Sequence, residues 1–271
     1  MLGKLIKHEF VATWKIFTLI DVVCLIAGVI VGIFMYNFPY LENLPEALSI
    51  LLGMGFVGYI ILLISVCVLS LVYVVVRYYK SLYTSEGYLT FTLPATVTEI
   101  LSAKMLVGFI WQVINYLCVF LSGCLAFGGF ILWGIRSSDI ILQDVVESFG
   151  DVMNEIFGIG WSPMLLVYIL FLLVGIITNL LTFYFSISLG QLWQQHKVLG
   201  SIIFYFVVRF VIGLLGTFIS IGSGSFNILF TATTADYFTH IMWSGLVLNI
   251  ILSVVMYFGC IFITNKKLNL D

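Results

Sequence analysis

The stretch Arg77–Glu99, RYYKSLYTSEGYLTFTLPATVTE, is a polar island set between two long apolar runs, and its position decides how the chain is read. The surrounding protein has 271 residues, 62% of them hydrophobic and 9% charged, with 24 phenylalanines and a mean hydropathy of +1.19. Soluble domains carry charge at about a quarter of their positions, so a chain this depleted does not keep its surface in water. Outward from the island, apolar runs recur at the length one helix needs to cross the hydrocarbon core, about 20 residues. Six are present: Ile16–Tyr36, Leu48–Val76, Ile100–Trp133, Pro163–Leu189, Val198–Ile221 and Ile241–Thr264. Their length and their Leu, Ile and Phe content read as helices, since barrel strands would alternate over about ten residues. The expected class is an all-α membrane protein with six transmembrane helices.

Lys and Arg set the expected sidedness. With the N-terminus in the cytoplasm, six spans return the C-terminus to the same side. That side then holds Lys4, Lys7, Lys15, Arg77, Lys80, Lys104, Lys197, Lys266 and Lys267, leaving Arg136 outside and Arg209 within a span. The acidic residues Glu42, Glu46, Asp139, Asp144, Glu147, Asp151, Glu155 and Asp236 fall on the opposite side. Positive-inside bias therefore places both termini and the island in the cytoplasm.

Residues 1–15 place Leu2, Leu5, Ile6, Phe10 and Trp14 at helical spacing opposite Lys4, Lys7 and His8. This pattern predicts an interfacial N-terminal helix ahead of span one. Lys15 and Asp21 within the first apolar run, and the lack of a small-residue cleavage site, argue against a secretory signal. Cys24, Cys67, Cys118, Cys124 and Cys260 all fall inside spans without CxxC or metal spacing, so neither a disulfide framework nor a metal site is expected.

On the outer side, residues 134–162 carry Ser137, Ser138 and Asp139 as candidate N-caps. Ile141, Val145, Phe149, Val152 and Ile156 then repeat at helical spacing, with Asp144, Glu147, Ser148, Asp151 and Glu155 on the other face. The expectation is an acidic amphipathic helix, followed by Ser162–Pro163 opening span four. Residues 222–240, GSGSFNILFTATTADYFTH, are too apolar for an aqueous loop and too interrupted for a crossing. They predict a re-entrant outer segment between spans five and six.

Within the island, Gly87 is placed to supply a left-handed helix end, Pro94 breaks the chain, and Thr96 with Glu99 has capping-box spacing ahead of span three. The run LYTSEGYLTFTLPATVTEILSAKML (residues 82–106), and EGYLTFTLP in particular, resembles the cytoplasmic loop of bacterial ABC-2-type permeases, the membrane subunits of a class of ABC exporters. The resemblance extends over the whole chain, residues 1–271 forming one permease domain. It implies that residues 77–99 hold a coupling helix docking on a cytoplasmic ATP-binding subunit, through Tyr83, Glu86, Gly87, Tyr88, Leu93 and Pro94. It also implies a second permease, the same or a related chain, and a bacterial plasma membrane.

The chain has no G-x-x-x-x-G-K-[ST] loop, so under this reading ATP and Mg belong to the partner and the chain itself binds no cofactor. HExxH and GxSxG motifs are also missing, and His8, His196 and His240 lie far apart, so no catalytic role is expected. No nucleic-acid partner is expected either. Inside the bilayer, Arg209 lies twelve residues past Lys197, Asn179 eleven before Gly190, and Asn115 eleven past Lys104. With Gln112 they define a candidate polar band facing a dimer axis or translocation path, and Asp21 is a candidate partner for Arg209. Gly28 and Gly32 form a GxxxG in span one, and Gly53, Gly55 and Gly58 crowd span two, which suggests close helix packing. The expected function is ATP-driven export of a hydrophobic or amphipathic cargo: a drug, an antimicrobial peptide or a lipid-like molecule. Two other classes remain open, a passive channel or facilitator, and a non-transporting membrane anchor that recruits an ATPase for sensing or immunity.

Overall fold

The computed structural model describes residues 2–37, 46–84, 86–87, 92, 95–137, 142–157, 161–193, 196–222 and 234–267. They form seven helices: α1 (Leu2–Tyr36), α2 (Glu46–Tyr83), α3 (Val97–Ser137), α4 (Leu142–Phe157), α5 (Trp161–Gly190), α6 (Lys197–Gly222) and α7 (Thr234–Lys267). All except α4 are long and apolar enough to cross a membrane. The chain is a multi-pass helical membrane protein. Leu19, Ile64 and Phe120 are 66%, 60% and 71% exposed, and apolar surface on this scale is of the kind that meets a membrane or another protein.

Two compact units can be distinguished, one comprising residues 7–74 and 110–148, the other residues 1–6, 75–109 and 149–271. The first is an up-down-up arrangement of α1, α2 and α3. The buried positions of α1 are Thr13, Phe17, Asp21, Cys24, Gly28 and Gly32, spaced by three or four residues as one face of a helix requires. Trp111 of α3 stacks between Phe10 and Phe17 at 4.7 and 4.8 Å, and its indole N–H donates to Thr13 Oγ1 at 2.9 Å. Further along, Ser122 Oγ donates to the Cys24 carbonyl at 2.8 Å, and Gly32 packs on the backbone of Leu125. Partner numbers rise together, so α1 and α3 run parallel. Contacts of α2 run the other way: Tyr73 meets Phe17, Ser70 meets Asn115, and Tyr59 meets Ser122.

Gly28 and Gly32 thus serve packing inside the chain. An added Cβ at Gly28 would fall 2.9 Å from Ser122 Cα, and one at Gly129 only 2.7 Å from the Gly32 carbonyl carbon. Gly53, Gly55 and Gly58 differ, because nothing among the described residues lies within 4 Å of a Cβ added there. Beside the seam, Val29, Gly32, Cys124, Gly128 and Gly129 line an open apolar groove of about 570 Å³.

In the second unit, α5 and α6 form an antiparallel hairpin closed by Gly190, whose added Cβ would sit 2.6 Å from Ser201 Cα. Helix α7 runs parallel to α5. Thr178 bonds Ser253 at 2.9 Å, Thr182 bonds Met256 Sδ at 3.6 Å, and Phe185 lies on Gly259. Short polar side chains let these helices approach closely and link across the gap.

Several local expectations changed. The proposed interfacial helix over residues 1–15 is not a separate element, because Leu2–Tyr36 is one helix of 35 residues. No Gly or Pro interrupts it between Lys4 and Leu25, and its length of about 52 Å exceeds a hydrocarbon core of about 30 Å. Helix α5 starts at Trp161, so Ser162 is not its N-cap and Pro163 lies in the first turn. The amphipathic helix is present as α4, but Ser138, Asp139 and Ile141 lie outside the described residues. So does most of the 222–240 segment; its last residues, Thr234–His240, are already part of α7.

The capping box at the start of α3 is formed. The Thr96 N–H donates to Glu99 Oε2 at 3.1 Å and the Glu99 N–H to Thr96 Oγ1 at 3.3 Å. Thr96→Ala should cost about 1 kcal/mol. Amide exchange should quicken in the first turn of α3 and stay unchanged past Gly108; unaltered exchange at Glu99 would refute the role.

Candidate functional site

The island hangs from a stem made by the end of α2 and the start of α3. Tyr78 is 1% exposed and stacks on Tyr184 of α5 with ring centroids 3.8 Å apart and planes 7° from parallel. Ser188 Oγ donates to the Tyr184 carbonyl at 2.9 Å. Its one hydrogen is thereby used, so the hydroxyls of Tyr83 at 2.8 Å and Tyr78 at 3.4 Å donate to it. On the α3 side, Ser102 bonds Tyr257 of α7 at 2.8 Å. The stem is therefore tied to both α5 and α7 by directional bonds among largely buried groups.

Of the expected docking residues, Tyr83 turns its hydroxyl inward to Ser188, whereas Glu86 is exposed. Tyr88, Leu93 and Pro94 lie outside the described residues. Gly87 is not in the left-handed region. Its N–H donates to the Thr84 carbonyl at 2.8 Å, and an added Cβ would lie 2.7 Å from the Leu82 carbonyl carbon. The chain doubles back on itself there, and closeness to its own backbone is what calls for glycine. Tyr78, Tyr184 and Ser188 were not singled out from the sequence. Tyrosine and serine within apolar runs are common, and only the register of α2 against α5 brings these three together.

The four residues of the expected polar band divide between the two units. In the first, Asn115 Nδ2 donates to Asp21 at 2.8 Å and Ser70 Oγ donates to Asn115 Oδ1 at 3.0 Å, with Asp21 5% exposed and Asn115 and Ser70 fully buried. Gln112 is 1% exposed, and neither amide atom has a partner among the described residues. In the second unit, Arg209 donates to Asn179 Oδ1 at 2.5 Å and to the Tyr205 hydroxyl at 3.3 Å. Tyr205 stacks on Phe183 at 4.5 Å, and the guanidinium carbon lies 5.8 Å from the Tyr205 ring centre. Asp21 is thus engaged with Asn115, and Arg209 with Asn179 and Tyr205.

The fold defines the class, a polytopic helical membrane protein. Comparison with family models, curated proteins and solved structures returned no match.

Proposed function

We propose that this chain is the membrane-spanning permease subunit of an ATP-driven exporter of the ABC-2 type, working with separate cytoplasmic ATP-binding subunits and a second permease. In this reading the membrane is the bacterial plasma membrane and both termini are cytoplasmic. The first turns of α1 lie in the inner interface, and part of residues 222–240 re-enters from outside. The observation that carries the proposal is the bonding of the stem to α5 through Tyr78, Tyr83, Tyr184 and Ser188. A push on the island by a closing ATPase dimer would pass into α5, and from α5 through Asn179 to Arg209 on α6. A simple connecting loop has no need of such bracing.

The test is purification from native membranes in mild detergent, with mass spectrometry and an ATPase assay. A stoichiometric partner of ABC-domain size is expected. Gly87→Val forces a branched side chain against Leu82, and about a tenfold loss of coupled ATP turnover is expected, the scale of 1.4 kcal/mol. A clean preparation without any ATPase, from cells that express the protein normally, would sink the proposal. A passive channel would be indifferent to Gly87→Val, and an ATPase anchor would keep the partner while moving no cargo.

A further inference from the structure

Arg209 is held in place but not neutralised. It lies twelve residues into α6 from Lys197, about 18 Å of helical rise, within the middle of a hydrocarbon core of about 30 Å. A guanidinium has five N–H donors; the bonds to Tyr205 and Asn179 use two of them, both on uncharged acceptors. The side chain is exposed, and Gly200 is the buried residue of α6. A charge at this depth is costly unless it meets a partner or a wet cavity.

Among the described residues no carboxylate meets Arg209. Of the chain's thirteen acidic residues, only Asp21 lies deep within a span, and it is buried and bonded to Asn115. A second copy would bring the same set of acids, and facing copies of Arg209 would repel. Phosphates of resident phospholipids lie at the edges of the core, about 15 Å away. The surroundings of Arg209 are apolar and open. Phe206 and Ile202, one and two turns toward Lys197, are 66% and 54% exposed, and a Cβ added at Gly213, one turn the other way, meets nothing within 4 Å.

We infer that Arg209, oriented by Asn179 and Tyr205, is the recognition point for the anionic end of an amphipathic cargo: a carboxylate carried on an apolar body. The planar fork suits two acceptor oxygens, and the open face of α6 receives the apolar part. This deepens the exporter reading and rests on it for the word cargo; the binding itself does not.

The full-length protein in phosphatidylcholine bilayers is tested with spin-labelled stearate, phosphatidylglycerol and phosphatidylcholine, reading the motionally restricted fraction at a pH where the fatty acid is ionised. Stearate should be preferred over phosphatidylcholine by about tenfold, the scale of one charge-assisted hydrogen bond. Arg209→Gln should abolish that preference, and Arg209→Lys or Asn179→Ala should reduce it severalfold, so a failure of Arg209→Gln to fold leaves two variants that decide. Equal restriction of stearate in wild type and the variants overturns the inference. Phosphatidylglycerol held as strongly as stearate overturns it too, since that is the behaviour of a resident lipid. No ATPase is needed, so a negative result leaves the exporter reading standing, and a missing ATPase leaves a positive result standing.

Discussion

Asn115→Leu is expected to destabilise the protein by about 3 kcal/mol, because it strips the amide donor from a carboxyl buried among helices. Asp21 is buried, and among the described residues its hydrogen bond comes from Asn115 Nδ2 at 2.8 Å. Ser70 suffers less, since its hydroxyl also reaches the Cys67 carbonyl at 2.9 Å. The reciprocal change Asp21→Leu leaves the Asn115 amide short of a partner and should cost about 2 kcal/mol. Replacing both by leucine removes the polar pair altogether, and the double variant should fall within about 1 kcal/mol of wild type. Denaturant titration of the purified protein in micelles, run as a double-mutant cycle, measures the coupling. Additive losses would show that Asp21 and Asn115 do not depend on each other.

The second large effect is expected at Gly129, and its neighbour supplies the control. A Cβ at Gly129 falls into the Gly32 carbonyl, backbone against backbone, with no flexible side chain to give way. Gly129→Val should force α1 and α3 apart and cost about 3 kcal/mol, the upper range for overpacking. A Cβ at Gly128 meets nothing within 4 Å, so Gly128→Ala should be neutral or should stabilise α3 by up to about 1 kcal/mol through helix propensity. Thermal unfolding of the two variants side by side reads the difference. Equal melting temperatures would mean that α1 and α3 are not in contact at Gly32.

Much of this was legible from local pattern. The six spans follow from apolar run length, because lipid demands a helix of fixed minimum length and little else. Helix α4 follows from its period, and the Thr96–Glu99 box from spacing, since both are set within a few residues of chain. The packing role of Gly28 and Gly32 was readable because glycines four apart on one helix face expose backbone to a neighbour. Gly87 was misread. Its position suggested a left-handed helix end, while its actual constraint is the Leu82 backbone, which depends on how the chain doubles back. The interfacial helix was expected to be separate because Leu2, Leu5, Ile6, Phe10 and Trp14 form an apolar face opposite Lys4, Lys7 and His8, yet nothing in those residues breaks a helix.

The polar band illustrates the boundary between the two kinds of information. Counting residues along each span put Asn115, Asn179 and Arg209 at comparable depth, and rise per residue is a property of any helix. Depth carries no rotation and no choice of neighbour. Helix register decided that Asn115 pairs with Asp21 and Ser70, that Asn179 holds Arg209, that Tyr78 stacks on Tyr184, and that the hydroxyls of Tyr78 and Tyr83 converge on Ser188. By itself the sequence determined the membrane class, the six helices and the Thr96–Glu99 cap, because hydrophobicity and short-range hydrogen bonding act along the chain. Only the tertiary structure decided which polar side chains meet, because those partners lie 30 to 110 residues apart and meet only when helices pack.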